Sequence, residues 1–176
     1  MTKEEKLGIS KIKYAIDNAF DVILGLINTF GDGVQITDAI HVPGIGKDFY
    51  DIITVIDEAK EEAKDLSYAE VDEIIKSYGE RTIDLIWVKN SQNLYDTRAI
   101  DKIMDLVFET YVLILEHSKD GIDIDDLDIL PKVSDNILEM VRLSERAYKE
   151  IKDLSSKEVY KVGTNLSSKV LLLLKA

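Results

Sequence analysis

Two Asp-Gly pairs, two histidines and one repeated aspartate are the residues of this chain whose types could do chemistry. Asp32-Gly33 and Asp120-Gly121 invite comparison with a calcium loop. An EF-hand needs acidic ligands early in its loop, glycine at position 6, an apolar residue at 8 and a bidentate glutamate at 12. With Gly33 at position 6, position 8 is Gln35 and position 12 is Ala39. In the second copy these become Asp123 and Leu127. Both loops lack the ligand that completes the shell. The second stretch, Asp120 to Asp128, is nevertheless rich in carboxylates, and a small cation- or ligand-binding helical module built on it is one reading of the chain.

His41 and His117 belong to no Glu-x-x-His or His-x-x-x-His pattern, so a bundle-type metal centre has no ligand set. There is no cysteine, which removes disulfides, thiolate nucleophiles and thiolate-held metals. Asp17 recurs as Asp105, with Phe20 and Phe108 three residues on. The two could form a carboxylate pair, or each could simply favour the early part of a helix. Phosphate-binding glycine loops, nucleophile elbows and a Ser/His/Asp set are missing from the sequence. The expectation is a protein that is not an enzyme and carries no cofactor.

The repeated aspartates belong to a larger pattern, an ungapped self-similarity at an offset of 88 residues, as from Asp32 to Asp120. Ile36 recurs as Ile124, Asp38 as Asp126 and Pro43 as Pro131. The run Lys64-Asp65-Leu66-Ser67 recurs as Lys152-Asp153-Leu154-Ser155, followed by Glu70-Val71 or Glu158-Val159. Such a period signals one supersecondary unit used twice. Almost all of the repeated residues are turn formers, prolines and caps.

Apolar residues at three- and four-residue spacing predict a first helix over about Ile9–Phe30 and its twin over about Thr97–His117. Each ends at Asp-Gly, where glycine tolerates positive φ. Val34-Gln35-Ile36 and Ile122-Asp123-Ile124 alternate apolar and polar, which predicts two short extended stretches able to pair as a minimal ribbon. Thr37-Asp38 and Asp125-Asp126 then cap one-turn helices expected to end near Pro43 and Pro131. Second helices are expected over about Gly46–Lys64 and Ser134–Lys152. The third helices open on Leu66-Ser67-x-x-Glu70-Val71 and Leu154-Ser155-x-x-Glu158-Val159, each a capping box with a hydrophobic staple. In the second copy, Gly163-Thr164-Asn165 is expected to kink or pause the last helix. The fold class is therefore all-α. Two three-helix repeats, residues 1–88 and 89–176, should form one six-helix bundle-like domain with a shared core.

A formal net charge of −12 argues against direct nucleic-acid contact, which needs clustered Lys and Arg. The longest purely apolar run, Val170 to Leu174, is far short of the roughly 20 residues that cross a bilayer, so no membrane role is expected. The charged start, Met1 to Lys6, is not expected to act as a secretory signal. The Val170–Leu174 run either closes the core or docks on another subunit. Together with Trp87 and Tyr95, its members Val170, Leu172 and Leu174 are the candidate interface residues.

The pattern Asp-Gly-x-x-Ile-x-Asp, a proline five residues later, a helix and then Asp-Leu-Ser-x-x-Glu resembles small acidic helical structural proteins of tailed bacteriophages. It covers Asp32 to Val71 and again Asp120 to Val159. The resemblance implies a non-enzymatic auxiliary component of a virion, bound to capsid, neck or tail or carried as cargo. Its partners would be proteins of a larger assembly, in the virion or the host cytoplasm.

Overall fold

Six stretches of helical apolar spacing become six α-helices in the computed structural model, which describes residues 8–85, 95–117 and 128–175, without the side chains of 36 and 83–85. They are α1 (Ser10–Phe30), α2 (Val42–Lys64), α3 (Tyr68–Leu85), α4 (Arg98–His117), α5 (Leu130–Asp153) and α6 (Ser156–Lys175). Among the described residues there is no strand. Gly33 adopts φ 98°, the left-handed turn that its lack of a Cβ permits, and Gln35 is the extended cap of a 3-10 turn, Ile36–Ile40. The expected ribbon is therefore replaced on its first side by a turn, in which the Gln35 amide donates to the Asp38 carboxylate at 2.6 Å. Its second side, residues 122–124, lies outside the described residues, as does the second capping pair, residues 125–126.

The short helix expected before Pro43 is present as Ile36–Ile40, capped by Gln35 with Asp38 at its third position instead of by Thr37-Asp38. Pro43 and Pro131 then open the next helices, in the first turn of α2 and α5. A first-turn proline loses nothing, because its missing N–H has no intrahelical partner there and its φ already suits a helix. Both second helices consequently begin a turn earlier than Gly46 and Ser134. That extra turn brings Val42, Ile45, Leu130 and Val133 onto helix faces.

The helix starts need acceptors for their free amides. The third helices meet this locally. Glu70 accepts from the Ser67 amide at 2.9 Å while Ser67 Oγ accepts from the Glu70 amide at 3.3 Å, and Ser155 with Glu158 repeats both bonds at 2.9 and 3.4 Å. The first helices meet it from a distance. Ile9 precedes α1 and has no side chain that can cap, so Glu62 of α2 accepts from the Lys11 and Ile12 amides at 2.8 and 3.0 Å. At the offset of 88 residues, Glu150 of α5 accepts from the Ala99 and Ile100 amides at 2.9 and 3.0 Å, with Arg146 Nε donating to its other oxygen at 3.0 Å. Both glutamates are buried. A fixed carboxylate at a helix start also answers the positive end of the helix dipole.

α1 packs along α2, and α4 along α5, as antiparallel pairs. α6 is the central element, touching α1, α2, α3 and α4. One cluster of buried side chains draws on all six helices, from Ile12 and Ile16 of α1 to Val170, Leu171 and Leu174 of α6. α6 runs unbroken through Gly163-Thr164-Asn165, so the expected kink is absent. The glycine serves a close approach instead. A Cβ on Gly163 would lie 2.2 Å from Thr82 Oγ1 and 2.6 Å from the Tyr78 carbonyl oxygen, so only glycine lets α3 pack this tightly on α6. Among the described residues, no helix is long and apolar enough to cross a membrane.

Candidate interaction cleft

The candidate site follows from the early starts of α2 and α5. Because α2 begins at Val42, it presents Val42, Ile45 and Phe49 at three- and four-residue spacing on one face. α5 presents Val133, Ile137 and Val141 in the same way. Between these walls, Leu26 and Phe30 from the end of α1 and Thr110 and Ile114 from the end of α4 form the floor. The result is an open cleft of about 320 Å³. Three pairs of its lining residues stand at the offset of 88 residues: Leu26 with Ile114, Ile45 with Val133, and Phe49 with Ile137.

Thr110 carries the one polar side chain in the lining, and it is already used. Its hydroxyl donates to the Leu106 carbonyl at 2.7 Å and accepts from Asn136 Nδ2 at 3.2 Å. Phe49 is braced from behind, stacked on the buried Tyr111 ring with centroids 4.0 Å apart and planes 11° apart. Burial, with the nearby Asp48 carboxylate, pushes the Tyr111 phenol well above its ordinary pKa and keeps it neutral. Among the described residues the lining has no ionisable side chain, and its one hydroxyl is already bonded. What the cleft can do is hold apolar groups away from water.

Exposed apolar residues and several acidic ones stand near its lining in sequence. Val42 is 49% exposed and Ile137 45%, while Ile40, Leu130 and Leu138 are exposed close by in sequence. Asp32, Asp48, Glu116, Asp128 and Asp135 also lie close in sequence to lining residues. Among the described residues, two nearby cations are committed, Lys47 to Asp51 at 2.5 Å and Lys132 to Glu109 at 2.9 Å.

The residues singled out from the sequence do not converge here. Val170 and Leu174 are each 3% exposed and belong to the core, whereas Leu172 between them is 69% exposed on the outer face of α6. The C-terminal apolar run is thus divided, mostly core with one side chain outside. Tyr95 is partly exposed beside Arg142, Arg146 and Lys149, and its amide donates to Asp153 at 2.9 Å. Trp87 lies outside the described residues, as does the Asp120–Asp128 loop except for Asp128 itself. Among the described residues no cluster of three or more His, Asp or Glu is arranged to hold a metal ion.

Asp17 and Asp105 are not brought together. Each faces a cation on the third helix of its own half: Asp17 meets Arg81 at 2.6 Å, and Asp105 meets Lys169 at 2.5 Å. Asp17 also accepts from the Tyr78 hydroxyl at 3.1 Å. Desolvation, with Asp48 and Asp17 nearby, raises the pKa of Asp21 above the usual carboxylate value. His117 Nδ1 lies 2.8 Å from the Leu113 carbonyl oxygen, a bond within the last turn of its own helix. The cleft itself escaped the sequence reading, although paired apolar residues beyond each presumed helix start were its signal. Compared with known proteins, the chain matches no family model, no curated protein and no solved structure.

Proposed function

We propose that this chain is a non-enzymatic interaction protein. In this reading it comprises two copies of one three-helix unit fused around a common core, and it binds a protein partner through the cleft between α2 and α5. The observation that carries the reading is the cleft's composition. An open surface of this size is lined by aliphatic and aromatic side chains, and its one hydroxyl is already bonded. Exposed apolar surface of this kind marks contact sites, and a few anchors within it usually dominate binding. The matched capping glutamates, ion pairs and capping boxes at the offset of 88 residues support the two-copy origin. The likeness of the Asp-Gly, proline and Asp-Leu-Ser pattern to tailed-phage structural proteins supports a place in a virion, as an auxiliary piece on capsid, neck or tail or as cargo.

The test is co-sedimentation. Wild-type protein and the Ile137→Asp variant are expressed in the native host, and purified particles and large complexes are analysed by mass spectrometry. Wild type should travel with a defined assembly and the variant should be released from it. A chain found free and monomeric in both cases, with a tight ligand emerging from a metabolite screen, would overturn the proposal.

A further inference from the structure

We infer that the occupant of the cleft is an amphipathic helix of a partner protein, with an apolar stripe seated between α2 and α5 and basic side chains along its flanks. The inference rests on the reading of the cleft as a binding surface and adds the chemistry of what fills it. The shape argument comes first. Each wall is a helical ridge, with Val42, Ile45 and Phe49 on one side and Val133, Ile137 and Val141 on the other, and the floor is set back on α1 and α4. Side-chain ridges at this spacing receive the ridges of another helix. From Val133 to Val141 the wall runs about 12 Å at roughly 1.5 Å per residue, room for two or three turns of a guest.

Apolar surface also continues beyond the cleft. Leu130 stands one turn before Val133, and Ile40 just before Val42, with exposures of 51% and 77%. A small apolar molecule filling 320 Å³ would leave both uncovered, whereas a helix lying across the mouth reaches them. The one polar side chain of the lining, Thr110, is already bonded and leaves no free group to orient a small ligand, which such sites ordinarily supply.

Charge selects among helices. Asp32, Glu116, Asp128 and Asp135 are exposed and stand within five residues of lining positions, and Lys47 and Lys132 are tied into ion pairs. Basic flanks on the guest gain from this field, and acidic flanks lose. The net charge of −12 also opposes a second copy of this chain as the occupant.

The experiment titrates the full chain with three labelled synthetic peptides of about 18 residues, enough for about five helical turns. One is a helix with a leucine stripe and lysine flanks, one keeps the stripe with glutamate flanks, and one scrambles the first so that its charge remains and its stripe is lost. Fluorescence anisotropy is read at about 50 mM and about 300 mM salt, to separate screened from contact-driven binding. The lysine-flanked helix should bind about tenfold or more tighter than either control, and Ile137→Asp and Val42→Asp should each cost about tenfold. Leu172→Asp, on the far face of α6, should leave binding unchanged. Equal binding of the scrambled peptide would reduce the effect to net charge and overturn the inference, and equal binding of the glutamate-flanked helix would overturn its charge element. A loss at Leu172→Asp as large as that at Ile137→Asp would move the site elsewhere. A dimer in sedimentation that Ile137→Asp dissolves would assign the cleft to a second copy. If all three peptides fail while the native assembly still requires Ile137, the helical guest is wrong and the binding cleft stands; if the assembly does not require Ile137, the cleft reading falls with it.

Discussion

The starts of α1 and α4 and the ends of the same helices solve opposite problems. At the starts, free amides are answered from inside the chain, by Glu62 from α2 and Glu150 from α5, and both carboxylates are buried. At the ends, Phe30 and Ile114 are only partly enclosed by the first turns of α2 and α5, Leu26 lies buried beneath them, and an apolar cleft stays open. A polar group shut away from water must find a partner, and Glu62 and Glu150 each supply one to two amides at the starts. Apolar surface left in water costs free energy without unfolding anything, so it can be kept for a partner to cover. Under the proposed reading, the contrast separates groups that serve folding from surface that a partner would cover.

Glu150→Ala should give the largest effect on this comparison. It strips two buried amides of their acceptor and takes one of the two carboxylates that Arg146 meets, the other being Asp96, and a loss of about 3 kcal/mol in denaturant unfolding is expected. Glu62→Ala removes the matching bonds from α1, where the carboxylate is slightly less buried and holds no arginine, so about 2 kcal/mol is expected from the same measurement. If both variants unfolded like wild type, the starts would not be held as described.

The Ser155–Glu158 box is a smaller, local version of the same device. Ser155→Ala should cost about 1 kcal/mol near neutral pH. The bonds from the Ser155 hydroxyl and amide hold the Glu158 pKa below the usual glutamate value. A depressed folded pKa contributes stability above the unfolded value and loses it as pH falls through the folded one. The gap between Ser155→Ala and wild type should therefore narrow in melts taken below the ordinary glutamate range. A gap independent of pH would remove Glu158 from the cap.

The smallest effect on stability belongs to the open end. Ile137→Asp and Val42→Asp replace half-exposed side chains that face the cleft, and each should shift unfolding by no more than about 0.5 kcal/mol. A loss as large as that of Glu62→Ala would mean that the walls are part of the core and the contrast between the ends is false.

The sequence made the helices and their local caps legible, because apolar spacing and Ser-x-x-Glu act within a few residues. The Asp-Gly turn was legible for the same reason, at Gly33. What escaped depends on distant chain. Glu62 and Glu150 look like ordinary charges near a helix end until folding sets them beside amides about 50 residues earlier. Gly163 reads as a helix breaker until α3 is laid across it, when the missing Cβ becomes the reason two helices can touch. Pro43 and Pro131 are compatible with an end or a start, and the choice of an end hid the turns that build the cleft walls. Candidate interface residues chosen for apolar character alone could not be separated by burial, which is why Val170 and Leu174 lie inside and Leu172 outside.

The central claim is that the cleft between α2 and α5 is covered by a partner in the working protein. The direct measurement places a photo-activatable amino acid at 42, 137 or 172 of the full chain in its native host and identifies the cross-linked species by mass spectrometry. The account predicts that 42 and 137 capture one and the same protein partner, through a segment that reads as a basic amphipathic helix, and that 172 does not. Capture from 172 alone, or from 42 and 137 only of unrelated abundant proteins, would contradict it.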